Sequence, residues 1–347
     1  MPQSRREQIC LESTAYYHCI SRCVRRAFLC GHDDYSGKNY DHRKQWIVQR
    51  LRSLGSVFSI DIAAFAVLSN HLHLVLRVDD QRARKWSEKE VAKRWTTLFR
   101  GHDIVDDYLS GKELSYPEVK LAKNVIQVWR DRLYDLSWFM RCLNESIARE
   151  ANREDGCTGR FWEGRFKCQA LLDEAAIIAC MAYVDLNPIR AGLSKTLEES
   201  DFTSIQQRLR DIANEKHRKK QRTNNASRPK YRSSSSTHTD LPLLRFNEGR
   251  DEQDGIPFKR LDYLELVDWT GRAICSDEKG AIPSHVRPIL ERLGINADNW
   301  TDNVSHLGRR FAHVIGSPEE LDTYLQNQSI GWVRGITACK GLYASAA

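Results

Sequence analysis

With 347 residues, 41% of them hydrophobic, and a formal charge of +7, the chain can bury at least one core, suggests two domains and suits an anionic partner such as nucleic acid. No apolar run reaches membrane length and the first residues lack the apolar stretch of a signal peptide, so a soluble, cytoplasmic protein with no membrane partner is expected. Its ten cysteines form no Cys-x-x-Cys pair and complete no zinc quartet, which excludes a disulfide or zinc framework and reads as reduced thiols.

Residues 14–24, Thr-Ala-Tyr-Tyr-His-Cys-Ile-Ser-Arg-Cys-Val, are rich in aromatic and β-branched types and predict a strand. Arg22, Arg25 and Arg26 cluster at its end, and glycines and aspartates then mark a loop. Trp46, Ile47, Arg50, Leu51 and Leu54 recur at three- and four-residue spacing, which predicts a helix from Asp41 to about Phe58. Ile60 to Ser69 is a nearly continuous apolar strand. Ser69-Asn70 turns it into Asn70-His-Leu-His-Leu-Val-Leu-Arg-Val78, as a tight antiparallel hairpin does. Helical patterning returns at 87–99 and runs through a charged segment at about 100–133, read as an insertion on the domain surface. Leu136 to Ala151 predicts an amphipathic helix, Arg160 to Leu172 the last strand, and Asp173 caps a helix that runs to Leu186 and stops at Pro188.

Strand, helix, strand, strand, helix, strand, helix is the order of a ferredoxin-like α+β fold with a trailing helix. A four- or five-stranded antiparallel sheet would carry the histidines on one strand, with helices packed on the opposite face. That unit is expected over residues 1–195. Residues 205–222 predict a short helix, and the Ser/Asn/Arg/Lys-rich tract at 224–239 cannot bury enough surface to order itself. Residues 196–240 therefore read as a basic linker, or alternatively as an arm that tracks a phosphate backbone. Residues 241–347 regain apolar content and read as a mostly helical accessory region with no catalytic signature.

The chemistry centres on His71 and His73, which the period of a strand puts on one face, with Leu72, Leu74 and Leu76 turned to the core. Two imidazoles side by side can share a divalent cation, although half-exposed strand histidines are the plainer explanation of a lone pair. Tyr183 and Asn187 are four apart, hence on one helical face. Asn187 offers a carbonyl oxygen to a hard cation and Tyr183 a hydroxyl nucleophile; alone, they read equally as a packed ring and a helix end. Two imidazole nitrogens, an amide oxygen and a phosphate oxygen suit Mg²⁺ or Mn²⁺, the nitrogen content leaning to Mn²⁺. Arg22, Arg25, Arg26, Arg160, Arg165 and Lys167 are the residues expected to hold nucleic-acid phosphates. Trp162 among them is a candidate to stack an unpaired base, and Phe161 and Phe166 are either stacking residues or core.

Ser69-Asn-His-Leu-His-Leu-Val-Leu76 resembles the His-hydrophobic-His motif of the single-tyrosine (HUH) transposases of the insertion-sequence-200 type. Arg160-Phe-Trp-Glu-Gly-Arg-Phe-Lys167 and Tyr183-Val-Asp-Leu-Asn-Pro-Ile-Arg-Ala-Gly-Leu193 resemble signatures of the branch associated with repetitive extragenic palindromes, as does Tyr17-His-Cys-Ile-Ser-Arg22 its opening strand. The resemblance covers about residues 10–195 and leaves the C-terminal extension unexplained. It implies metal-dependent cleavage and rejoining of single-stranded DNA beside a hairpin, through a 5′-phosphotyrosine intermediate. His71, His73 and Asn187 would hold the metal and Tyr183 would be the nucleophile; whether the site is completed in one chain or in a homodimer stays open. Tyr16 and Tyr17 are competing nucleophiles that lack a ligand at helical spacing.

Other classes fit less well. A hairpin-binding regulator without chemistry has no reason to keep all four site residues. Rolling-circle initiators and relaxases usually carry longer metal motifs, and many carry a second tyrosine beside the first. A ferredoxin-like RNA-binding module presents aromatics on its central strands, where this chain presents histidines.

Overall fold

The computed structural model describes residues 8–24, 28–33, 37–224, 240–248, 254–275 and 283–343. Arg25, Arg26 and most of the Ser-rich tract lie outside the described residues. The chain begins with β1 (Tyr16–Arg22), α1 (Arg43–Val57), β2 (Ile60–Val67), β3 (His71–Val78), α2 (Asp80–Arg84) and α3 (Glu88–Leu98). It continues through α4 (Asp103–Ser110), α5 (Tyr116–Leu133), α6 (Leu136–Glu154), β4 (Lys167–Leu171), α7 (Glu174–Asp185), α8 (Asn187–Arg190) and α9 (Ser204–Asn224). The remainder holds α10 (Arg260–Cys275), α11 (Arg287–Arg292), α12 (Ala297–Arg310), β5 (Val314–Ile315), α13 (Pro318–Asn327) and α14 (Ile336–Leu342). Among the described residues no helix is long and apolar enough to cross a membrane.

The strands form one sheet in the order β2-β3-β1-β4-β5. The first four pair antiparallel, and β3 lies between β2 and β1, which is the split βαβ arrangement of a ferredoxin-like fold. This is the expected α+β class. β3 is buried at every residue but His71, and β1 at four of its seven, because helices cover both faces rather than one. On the face that carries Leu72 and Leu74, α1 and α6 pack as a pair. Phe58 meets Phe139 edge-on at 5.4 Å, and Asn144 of α6 donates to the Ser21 hydroxyl of β1 at 2.9 Å. The trailing helix α7 covers the other face, which carries the histidines. The insertion at 100–133 is the pair α4 and α5, which closes on α3 through stacked Trp95 and Trp129, 5.4 Å apart.

Arg43, the first residue of α1, is fully buried. Its guanidinium donates to Glu154 at 2.6 Å, to Asp155, and to the Phe28 carbonyl at 2.8 Å, and it stacks on Tyr40 at 4.1 Å. One side chain thus ties the loop before α1 to the end of α6.

Residues 196–240 do not behave as a linker throughout. Ser204 and Ile205 at the start of α9 are fully buried against β2, where the Phe65 amide donates to the Ser204 hydroxyl at 2.9 Å. The region after 240 shares the core as well. The Leu244 amide donates to the Ile62 carbonyl at 2.8 Å, and β5 extends the sheet by pairing parallel with β4. Asp185 at the end of α7 accepts from the Ser204 hydroxyl at 2.5 Å, the Ile205 amide at 3.0 Å and the Tyr263 hydroxyl of α10 at 2.5 Å. Burial raises its carboxyl above the usual range, and those three donors hold the rotation of α7.

Candidate active site

Period-two alternation aligns His71 and His73 on one face of β3, with Ile20 opposite His73 and Arg22 opposite His71 across the ladder. Their rings lie 4.8 Å apart. His73 is 2% exposed and His71 half-buried at the open edge.

α7 supplies the other half. Asp173 accepts from the Ala176 amide at 2.8 Å, which starts the helix and aims it across the sheet. The same carboxylate accepts from the Tyr343 hydroxyl at 2.7 Å and the Ser317 amide at 2.6 Å, so the C-terminal region braces the start of α7. Pro188 does not end the helical path: the one-turn helix α8 follows at once and brings Asn187 and Arg190 under Tyr183. Tyr183 sets its ring edge-on to His73 at 5.5 Å and to His18 at 5.9 Å. Asn187 places its amide nitrogen 3.1 Å from Nε2 of His73. Arg190 stacks its guanidinium 4.4 Å from the Tyr183 ring centroid, and its Nη1 is buried with no hydrogen-bond partner among the described residues.

Both histidines suit a cation. His71 Nδ1 lies 2.6 Å from Asn70 Oδ1 and His73 Nδ1 lies 2.9 Å from His18 Nε2, which leaves each Nε2 on the cleft side as an acceptor, that of His73 meeting the Asn187 amide nitrogen. Burial, then Arg22 and Arg190, pushes His71 down to about 4; burial, then His18 and His71, drives His73 well below the ordinary range. Neutral imidazoles are the ligating form. Among the described residues no group of three His, Cys, Asp or Glu side chains could hold a metal; beside the histidine pair stands the Asn187 amide.

The four residues open into one cleft of about 680 Å³. Arg22, Arg165, Lys167, Arg190 and Arg309 line it, with Glu163 their only acidic neighbour on the lining. Of the expected DNA contacts, Arg22, Arg165 and Lys167 are there. Arg160 is exposed but off the lining. Trp162 is not an open stacking platform: it is buried, donates its indole N–H to the Asn144 carbonyl at 2.8 Å and packs edge-on to Phe161. Phe161 and Phe166 are core as well.

Four contributors escaped the sequence reading. Arg190 follows Tyr183 and Asn187 by helical spacing and was detectable. Ser305, His306 and Arg309 of α12 were not, since nothing local marks them. α12 reaches the site because Gly308 has no side chain: a Cβ there would stand 2.6 Å from the Tyr183 hydroxyl oxygen and 3.3 Å from Cζ. The ring is wedged between His73 and Arg190 and has little room to give. Gly308→Ala is therefore expected to cost about 1–3 kcal/mol, measured by urea unfolding; a loss below about 0.5 kcal/mol would mean that α12 does not rest on Tyr183.

No family model matches the chain, and no curated protein does. A solved structure of a REP-associated tyrosine transposase bound to a REP hairpin is similar at 15% identity over 61% of this chain and 86% of that one. Its TM-score is 0.35, a likeness too slight to bear on function.

Proposed function

We propose that the protein cleaves and rejoins single-stranded DNA beside a hairpin, in the manner of the single-tyrosine transposases that its motifs resemble, with Tyr183 as nucleophile and Mg²⁺ or Mn²⁺ held by His71, His73 and Asn187. One observation carries the reading: residues more than a hundred positions apart bring a histidine pair, an amide and a phenol into a single cleft lined by cations. A bound divalent cation would neutralise phosphate charge and polarise the scissile phosphate. Tyr183 Oη attacks the phosphorus; its bond to phosphorus forms as the bond to the 3′-oxygen breaks, the phenolic proton passes to water and the departing oxygen gains one. The products are a 5′-phosphotyrosine and a free 3′-OH, and attack by a 3′-OH in the reverse sense rejoins the strand. Arg190 is suited to hold the scissile phosphate, since it already stacks on the nucleophile and has an unpaired N–H. Arg22, Arg165 and Lys167 would track the flanking backbone.

The test is cleavage of an end-labelled hairpin with a single-stranded flank, in Mn²⁺ and in Mg²⁺. His71→Ala is expected to bind that hairpin like the wild type and to cut it at least about 100-fold more slowly. Unchanged cleavage in His71→Ala removes the metal assignment. Tight binding without cleavage by the wild type, in both metals and with several hairpins, identifies a regulator in place of an enzyme.

A further inference from the structure

A buried polar chain runs behind the histidine pair, and the reaction outlined above makes no use of it. The Phe311 carbonyl, just beyond α12, accepts from Gln169 Nε2 at 2.9 Å. Gln169 Oε1 lies 2.6 Å from His18 Nδ1, and His18 Nε2 lies 2.9 Å from His73 Nδ1. Gln169 is 3% exposed and His18 is 0% exposed.

The direction of every hydrogen bond in this chain is forced from its far end. A backbone carbonyl only accepts, so Gln169 must turn its NH₂ towards Phe311 and its oxygen towards His18. An amide oxygen also only accepts, so the proton of His18 sits on Nδ1. His18 is sealed from water and, among the described residues, bonds only Gln169 and His73 and no acidic group, so the ring is neutral and its Nε2 is a bare acceptor. His73 must then carry its own proton on Nδ1, which leaves Nε2 with a lone pair. The opposite side of the ring agrees: Asn187 presents its amide nitrogen, a donor, to that same Nε2.

We propose that His18 and Gln169 are positioning residues: anchored on the Phe311 carbonyl, they lock His73 in the Nδ1–H tautomer and so hold its Nε2 lone pair ready for a divalent cation. This rests on the metal-binding reading of the site. It also gives the C-terminal region a defined part in that site, because the acceptor that orders the chain belongs to it. A metal-ligating histidine is generally fixed by whatever its second nitrogen bonds, and here that partner is a neutral histidine where a carboxylate or a carbonyl is common. A neutral partner transmits tautomer without adding negative charge, which keeps the deep end of a DNA-facing cleft free of a buried anion.

The test uses the full chain with ¹⁵N-labelled histidine, free of metal, and reads His73 by long-range ¹H–¹⁵N correlation. Wild type is expected to show His73 protonated at Nδ1 and bare at Nε2; a dominant Nε2–H form overturns the proposal without any variant having to fold. Gln169→Leu frees the His18 proton to move, so His73 is expected to populate both tautomers and the Kd for Mn²⁺, followed by the signal of the free ion, to rise about 10- to 100-fold. Gln169→Glu, whose protonated acid can still accept from His18 and donate to Phe311, is expected to restore both readings. An unchanged tautomer and Kd in folded Gln169→Leu overturns the proposal. A wild type with the expected tautomer that binds no Mn²⁺ overturns the metal-binding reading itself, and with it the purpose of the relay.

Discussion

Tyr183→Phe is expected to form no covalent protein–DNA adduct and to cleave a labelled hairpin at least about a thousandfold more slowly than wild type, while binding it with unchanged affinity. The substitution removes one oxygen. The ring keeps its contacts with His73, His18 and Arg190, so a loss of cleavage would report chemistry and not a lost fold. Denaturing electrophoresis of the wild type with labelled substrate should show the adduct directly. The structure also narrows what a surviving adduct would mean. Tyr16 donates its hydroxyl to the Gly255 carbonyl at 2.9 Å, and Tyr17 to the Thr14 carbonyl at 2.9 Å. Burial pushes the Tyr16 phenol up to about 12 and the Tyr17 phenol higher still. Both hydroxyls are engaged and hard to ionise, so an adduct formed through either of them would require a rearranged β1, and one that survives Tyr183→Phe points to a tyrosine elsewhere in the chain.

Arg43→Met is expected to cost about 3 kcal/mol of stability, read as a lower urea midpoint with an unchanged slope. Breaking a buried ion pair from one side typically costs about 3–5 kcal/mol. The low end applies because the two carboxylate partners, at 33% and 26% side-chain exposure, recover hydration when the guanidinium leaves. The Phe28 carbonyl, which also loses its donor, adds to the cost. Arg43→Lys should recover only part of the loss, because an ammonium cannot span Glu154, Asp155 and Phe28 as the planar fork does. A change below about 1 kcal/mol in Arg43→Met would show that the loop before α1 is held by other contacts.

What could be read from the sequence followed short periods. His71 and His73 are linked by the pleat of one strand, and Tyr183 and Asn187 by one helical turn, so each pair was visible without knowing where the chain goes next. The four-strand order was legible for the same reason, since the hairpin between β2 and β3 and the two flanking helices are local patterns. What stayed hidden depends on partners distant in sequence. Gln169 looks like any polar residue of a strand until Phe311 and His18 are placed on either side of it. Gly308 is one more residue of an amphipathic helix until Tyr183 arrives beneath it. Trp162 misled because cations surround it in sequence; in space its indole N–H is satisfied by Asn144 and its ring by Phe161. Composition changes after residue 195 while packing does not, since Ser204, Ile205 and Leu244 pack on β2.

The anchoring of His73 on the Phe311 carbonyl has a consequence for how the protein is made. β1 to β4 and the helix bearing Tyr183 leave the ribosome well before α12 does. At ordinary rates of synthesis the interval between Arg190 and Phe311 is on the order of ten seconds. During it the histidines, the tyrosine and the asparagine all exist, but the carbonyl that orders the chain behind them does not. A nascent chain therefore carries the residues of the candidate site without their final alignment, which is deferred until the last third of the polypeptide has folded back onto the sheet.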